Sequence, residues 1–91
     1  MKKVISITVG GVVFAIEEDA YTKLLSYLEA IKQNLSQSAD YEEVAEDIEI
    51  AIAEKFIFRK CSEKKAVSSD DVTAVTLEMG NPSDFKEDKF N

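Results

Sequence analysis

The chain has no histidine and no tryptophan, one cysteine, one proline and three glycines in 91 residues. Each scarcity excludes something. Without histidine, the commonest general base and metal ligand is missing. Cys61 stands alone, so no internal disulfide forms, and such cysteine usage fits a reducing compartment. No apolar run approaches the roughly 18 residues of a membrane span. Basic residues are also in short supply: 11 Lys and Arg face 18 Asp and Glu, for a net charge of −7. That balance argues against nucleic acid, whose affinity comes mainly from cations that neutralise phosphates. Met1-Lys2-Lys3 before apolar residues has the outline of a secretory signal. The stretch nevertheless alternates with Ser6 and Thr8, contains Gly10-Gly11 and runs straight into Glu17-Glu18-Asp19 with no small-residue cleavage site, so a signal peptide is rejected.

What is present is a hydrophobic fraction of 45%, enough for one small core. Its clearest pattern is "VISITVGGVVFAI", Val4 to Ile16. Two apolar runs flank Gly10-Gly11, which suits the positive φ angles of a tight hairpin turn. A two-residue turn places Val9 opposite Val12, Ile7 opposite Phe14 and Ile5 opposite Ile16. These six side chains share one face, because strand side chains alternate. Val4, Ser6, Thr8, Val13 and Ala15 take the other. An isolated hairpin is marginal in water, so the apolar face needs a cover.

Helical spacing supplies it. Ala20, Leu24, Leu28, Ile31 and Leu35 follow a start at Glu18-Asp19, widened by Tyr21 and Leu25. "NLSQSAD" interrupts the pattern at residues 34–40. Asp40 and Glu43 have capping-box spacing and open a second helix carrying Tyr41, Val44, Ala45, Ile48, Ile52 and Phe56, which ends near Arg59-Lys60. Ser68 with Asp71 forms a second box, and Val67 can staple onto Val72. Val72, Val75 and Met79 mark one face of this short third helix; Gly80 reads as its C′ residue and Pro82 forbids continuation. The expected fold is α+β: an N-terminal β-hairpin packed on two long helices plus a short third, β-β-α-α-α. Residues 1–85 form one domain and 86–91 a tail or the start of a linker, with Phe85 folding back onto the third helix.

Candidate chemistry is thin. Cys61 lies among Arg59, Lys60, Lys64 and Lys65, and nearby positive charge lowers a thiol pKa; with no histidine as base, a reactive role is not expected. Glu42, Glu43, Glu46, Asp47 and Glu49 spread around the second helix without the glycine-containing loop of a calcium hand, so they read as a solvated face. Gly10-Gly11 lacks the surroundings of a phosphate loop. No enzyme, cofactor or metal site is expected. Residues 17–54 hold 11 acidic and 2 basic residues, whereas 55–66 hold 5 basic and 1 acidic. Lys55, Arg59, Lys60, Lys64 and Lys65 therefore form a candidate basic patch, to be weighed against a helix end that complements its own dipole and a solvated loop.

A two-stranded sheet leaves both outer edges open to another strand. The same six residues, Ile5, Ile7, Val9, Val12, Phe14 and Ile16, are thus candidates for core and for a dimer interface. Neither strand contains proline to block edge pairing, and Lys2 and Lys3 protect only the first strand's start.

"KKVISITVGGVVFAIEEDAYTKLLSYLEAIKQNL" resembles the N-terminal segment of bacterial proteins carrying a phage-shock protein C (PspC) domain, especially those of the Bacteroidetes type. The resemblance rests on the lysine start, the I-x-I-x-x-G-G-x-x-F hairpin, Glu18-Asp19-Ala20-Tyr21, and Leu24, Tyr27-Leu28 and Ile31. "DIEIAIAEKF" and "SSDDVTAVTLEMGNPSDF" extend it, in order, over about residues 2–85. The resemblance implies a cytoplasmic domain at the inner face of the cytoplasmic membrane, ahead of a membrane-embedded segment, in proteins of envelope stress and its transcriptional response. No such segment lies within this chain, which is then an excised domain or a stand-alone relative. The expected function is a non-enzymatic interaction and self-association module, with itself and other proteins as partners. The alternative is a small dimeric DNA-binding regulator using residues 55–65. A third class, a small enzyme or ligand binder, requires a polar pocket.

Overall fold

The computed structural model describes residues 3–35 and 40–82. Its order is β1 (Val4–Val9), β2 (Val12–Glu17), α1 (Glu18–Leu35), α2 (Tyr41–Phe58) and α3 (Ser69–Met79), the α+β arrangement expected. β1 and β2 pair antiparallel with Val9 opposite Val12, Ile7 opposite Phe14 and Ile5 opposite Ile16. Gly10 and Gly11 close the turn at φ +57° and +83°, angles that match the strand twist.

The apolar face of the hairpin packs on the helices. Phe14 and Ile16 are fully buried with Ala20 and Leu24 of α1, Ile52 and Phe56 of α2, and Val72 and Val75 of α3. The Phe14 and Phe56 rings meet edge to face, 5.5 Å apart at 76°. α3 is the main helical neighbour of α1. Tyr27 Oη donates to the Gly80 carbonyl at 2.6 Å, and Asn34 Nδ2 to the Pro82 carbonyl at 2.8 Å, fastening the end of α3 along α1.

The helix ends differ in how they form. At α3 the capping box is complete: the Ser68 hydroxyl accepts from the Asp71 amide at 3.1 Å, and the Ser68 amide donates to Asp71 Oδ2 at 3.0 Å. Val67 and Val72 are both fully buried beside it. Gly80 is the C-cap itself rather than the residue beyond, with φ +106°. At α2 the expected box does not form. Asp40 occupies the N-cap at φ −102° and ψ 26°, away from the extended backbone that aims a capping side chain, and makes no side-chain cap hydrogen bond. At the other end of α2 the Lys60 amide donates to Ile57 O at 2.8 Å and the Cys61 amide to Phe56 O at 3.0 Å. Lys60 takes φ +72° there, in the left-handed position usually held by glycine.

One expectation is corrected. The outer edge of β2 is not open. Ala15 N donates to Ser62 O at 3.1 Å, Val67 N to Ala15 O at 2.8 Å and Glu17 N to Val67 O at 2.9 Å, so the α2–α3 connection lies along the edge of β2, with a single parallel bridge between Ile16 and Val67. The interruption around residues 36–39 and the placement of Phe85 lie outside the described residues.

Candidate functional site

Three places carry polar or unsatisfied chemistry. The first is a cluster at the foot of α3. Asp71 is 7% exposed and accepts from Arg59 Nε at 3.0 Å through Oδ1. Its Oδ2 accepts from the Ser68 amide and hydroxyl, and from Cys61 Sγ at 3.5 Å. Burial alone raises a carboxyl pKa. Here the Ser68 amide, the Arg59 guanidinium, the Ser68 hydroxyl and the Cys61 thiol outweigh it together and hold Asp71 below its ordinary value. Cys61 moves the other way. Burial, the Asp71 charge and the thiol's own hydrogen bond push it from 9.0 up to about 11, and the opposing pull of Lys65 and Arg59 is smaller. Lysines and an arginine nearby in sequence suggested a lowered thiol pKa; the buried neighbour in space is a carboxylate, which reverses the sign. This cluster therefore holds a protonated thiol and a paired carboxylate. It joins the end of α2 to the start of α3.

The second place is the basic segment. Lys55 Nζ pairs with Glu78 Oε1 at 3.0 Å, Arg59 with Asp71, and Lys65 Nζ donates to the Arg59 carbonyl at 3.1 Å. Two of the five candidate cations, Lys55 and Arg59, are paired with carboxylates, leaving Lys60, Lys64 and Lys65 exposed on the connection. Three exposed lysines on a chain of net charge −7 are a weak footprint for phosphates, which reward many aligned cations. The acidic residues Glu42, Glu43, Glu46 and Asp47 are exposed on α2 and Glu49 is half-buried. Among the described residues no three His, Cys, Asp or Glu side chains converge as a metal-binding group, and no helix is long and apolar enough to cross a membrane.

The third place is β1. Of the six candidate interface residues, Val9, Phe14 and Ile16 are buried in the core, and Ile5, Ile7 and Val12 are partly buried against it. What β1 leaves open is backbone. A two-residue turn makes Val9 and Val12 a hydrogen-bonded pair, so Val4, Ser6 and Thr8 aim their amides and carbonyls away from β2. The same alternation turns Ala15 and Glu17 outward on β2, where the 62–67 segment meets them. No described segment meets the corresponding groups of β1. Beside this edge runs a groove of about 340 Å³ lined by Ile7, Thr8 and Val9 of β1, Tyr21, Leu24, Leu25, Leu28 and Lys32 of α1, and Glu49 of α2. Its Leu25 is 40% exposed. Alternation in the sequence located both edges; it gave no signal that residues 62–67 would return to close one of them. No protein-family model, curated protein or solved structure matches this chain.

Proposed function

We propose that this chain is a non-enzymatic protein-interaction and self-association module, the cytoplasmic N-terminal domain of a PspC-like envelope-stress or transcriptional-regulatory membrane protein. The observation that carries the interaction reading is the asymmetry of the hairpin: β2 is closed by the chain's own 62–67 segment, whereas β1 keeps an uncharged row of outward backbone groups. An exposed edge of this kind recruits extended segments through main-chain hydrogen bonds, with side-chain pockets supplying selectivity. Support for the PspC assignment is the resemblance alone, whose glycines fall at the hairpin turn and at the end of α3.

Two experiments address the two halves. A photoreactive residue at Thr8 should give protein adducts in the native cell, and one at exposed Glu29 on α1 should give few. Equal yields at the two sites would remove the edge as the interacting surface. For the membrane assignment, the genomic reading frame around this chain should encode an apolar span of about 20 residues after Asn91. A frame without one would remove the membrane half and leave the interaction half intact.

A further inference from the structure

We propose that the occupant of the β1 edge is a second copy of this chain, paired antiparallel about a twofold axis at Ser6, so that two hairpins form one sheet ordered β2-β1-β1-β2. The inference rests on the open-edge reading above and adds the partner and the register. Outward backbone groups sit on Val4, Ser6 and Thr8. Centring the pair on Ser6 sets Ser6 opposite Ser6 and Val4 opposite Thr8, so every outward amide and carbonyl from residue 4 to residue 8 finds a partner. Of the centres that fall on a residue, Ser6 is also the one that keeps all of Val4 to Thr8 paired within β1 itself; shifting the centre to Ile7 puts Val4 opposite Gly10 in the turn.

The side chains agree with that centre. Ile5-Ser6-Ile7 reads the same in both directions, so the twofold places Ile5 of each copy opposite Ile7 of the other on the helix-covered face. Both isoleucines are only partly buried within one copy, and an added strand lies about 4.8 Å from β1, over the groove beside Tyr21, Leu25 and Leu28. Val4, 50% exposed, meets the β-branched Thr8 of the other copy on the opposite face. No residue from Val4 to Val9 is ionisable, and the groove beside them adds one cation, Lys32, and one anion, Glu49. Two molecules of net charge −7 still repel at long range. Salt should therefore strengthen this association by screening, the reverse of an interface held by ion pairs.

Cysteine cross-linking of the full chain tests occupant and register together. In a hydrogen-bonded antiparallel pair, opposite Cα atoms are about 5.5 Å apart, within the roughly 4.4–6.8 Å a disulfide spans. Ser6→Cys should form a disulfide-linked dimer on mild oxidation. Thr8→Cys should not, because its counterpart is displaced by about 13 Å along the strands. Native Cys61 is buried and its thiol is pushed up to about 11, and the wild-type chain oxidised alongside serves as its control. Sedimentation at tens of micromolar should show a dimer that tightens with added salt. Leu25→Glu, on a partly exposed helix position, should weaken it about tenfold or more without changing the monomer's melting. A dimer that cross-links at Thr8 but not Ser6, or that ignores Leu25→Glu, overturns the arrangement. A monomeric wild type overturns the second copy as occupant. If such a monomer still gave Thr8 adducts with other proteins, the open-edge reading would survive that result; if it gave none, both would fall.

Discussion

Gly10 and Gly11 share one turn, yet they meet different demands. A Cβ on Gly11 would point into open space, whereas one on Gly10 would lie 2.9 Å from Ile50 Cα and 3.0 Å from Glu49 O. The hairpin therefore touches the backbone of α2 at Gly10, and no side chain can be trimmed to make room. Both glycines have positive φ, so alanine at either costs about 1–2 kcal/mol in backbone strain. Gly10→Ala should cost distinctly more, because turn and helix must also separate. Urea denaturation of the two variants checks this; equal losses would mean that the close approach yields without cost. A pair of glycines in sequence announces a turn, and both hairpin register and turn position were legible from it. The second duty of Gly10 was not legible, because it depends on a helix some 40 residues later in the chain. The surroundings of Cys61 were not legible for the same reason. Its sequence neighbours are cations, but the group touching its sulfur is Asp71, brought across by the start of α3.

Among the elements, helix faces followed directly from spacing, because burial requires apolar residues at intervals of three and four. Ala20, Leu24, Ile31 and Leu35 are buried on α1, and Ile48, Ile52 and Phe56 on α2. Helix ends were less uniformly readable. Ser68 and Asp71 form the box their spacing suggests, but Asp40 and Glu43 have that spacing too and Asp40 makes no side-chain cap. At α3, Val67, just before Ser68, is held by β2 and buried in the core, and Ser68 has the extended backbone a cap needs. The end of α2 near Arg59-Lys60 was legible from its basic residues, whereas the left-handed backbone at Lys60 was not, because a lysine holds the position where glycine would have signalled it. Two substitutions at helix ends should therefore move stability in opposite directions. Ser68→Ala should cost about 0.5–2 kcal/mol. Lys60→Gly should stabilise by about 0.5–1 kcal/mol, as relief of left-handed strain exceeds glycine's added unfolded-state entropy. Thermal melting of both variants tests the pair; a Lys60→Gly protein that melts below wild type would mean that the lysine side chain supports the helix end more than its backbone strains it.

At the scale of the whole molecule, the Arg59–Asp71–Cys61–Ser68 cluster joins α2, the 62–67 segment and α3, so its protonation bears on the closure of the β2 edge as well as on one helix cap. Its two titrating groups act at opposite ends of the pH scale. Asp71 has a folded pKa below its ordinary 3.8, so its contribution is full above that value and is lost as pH falls through the folded pKa. Cys61 has a folded pKa raised from 9.0 to about 11; its contribution is full below 9.0 and is lost as pH rises towards 11, where the unfolded thiol ionises and the buried one resists. The chain carries 18 Asp and Glu and 11 Lys and Arg, so a wild-type profile alone does not isolate either group. The differences between profiles do. Urea midpoints measured from pH 2 to 11 should show a shallower acid limb for Asp71→Asn, which no longer carries a proton-dependent charge, and a shallower alkaline limb for Cys61→Val. Each variant should leave the other's limb steep, except that Asp71→Asn also removes a charge holding the Cys61 thiol up and so should make the alkaline loss smaller and end it at lower pH, with its onset unchanged. That cross-effect is the discriminating result. If Asp71→Asn left the alkaline limb unchanged, carboxylate and thiol would not be coupled, and burial alone would account for the raised Cys61.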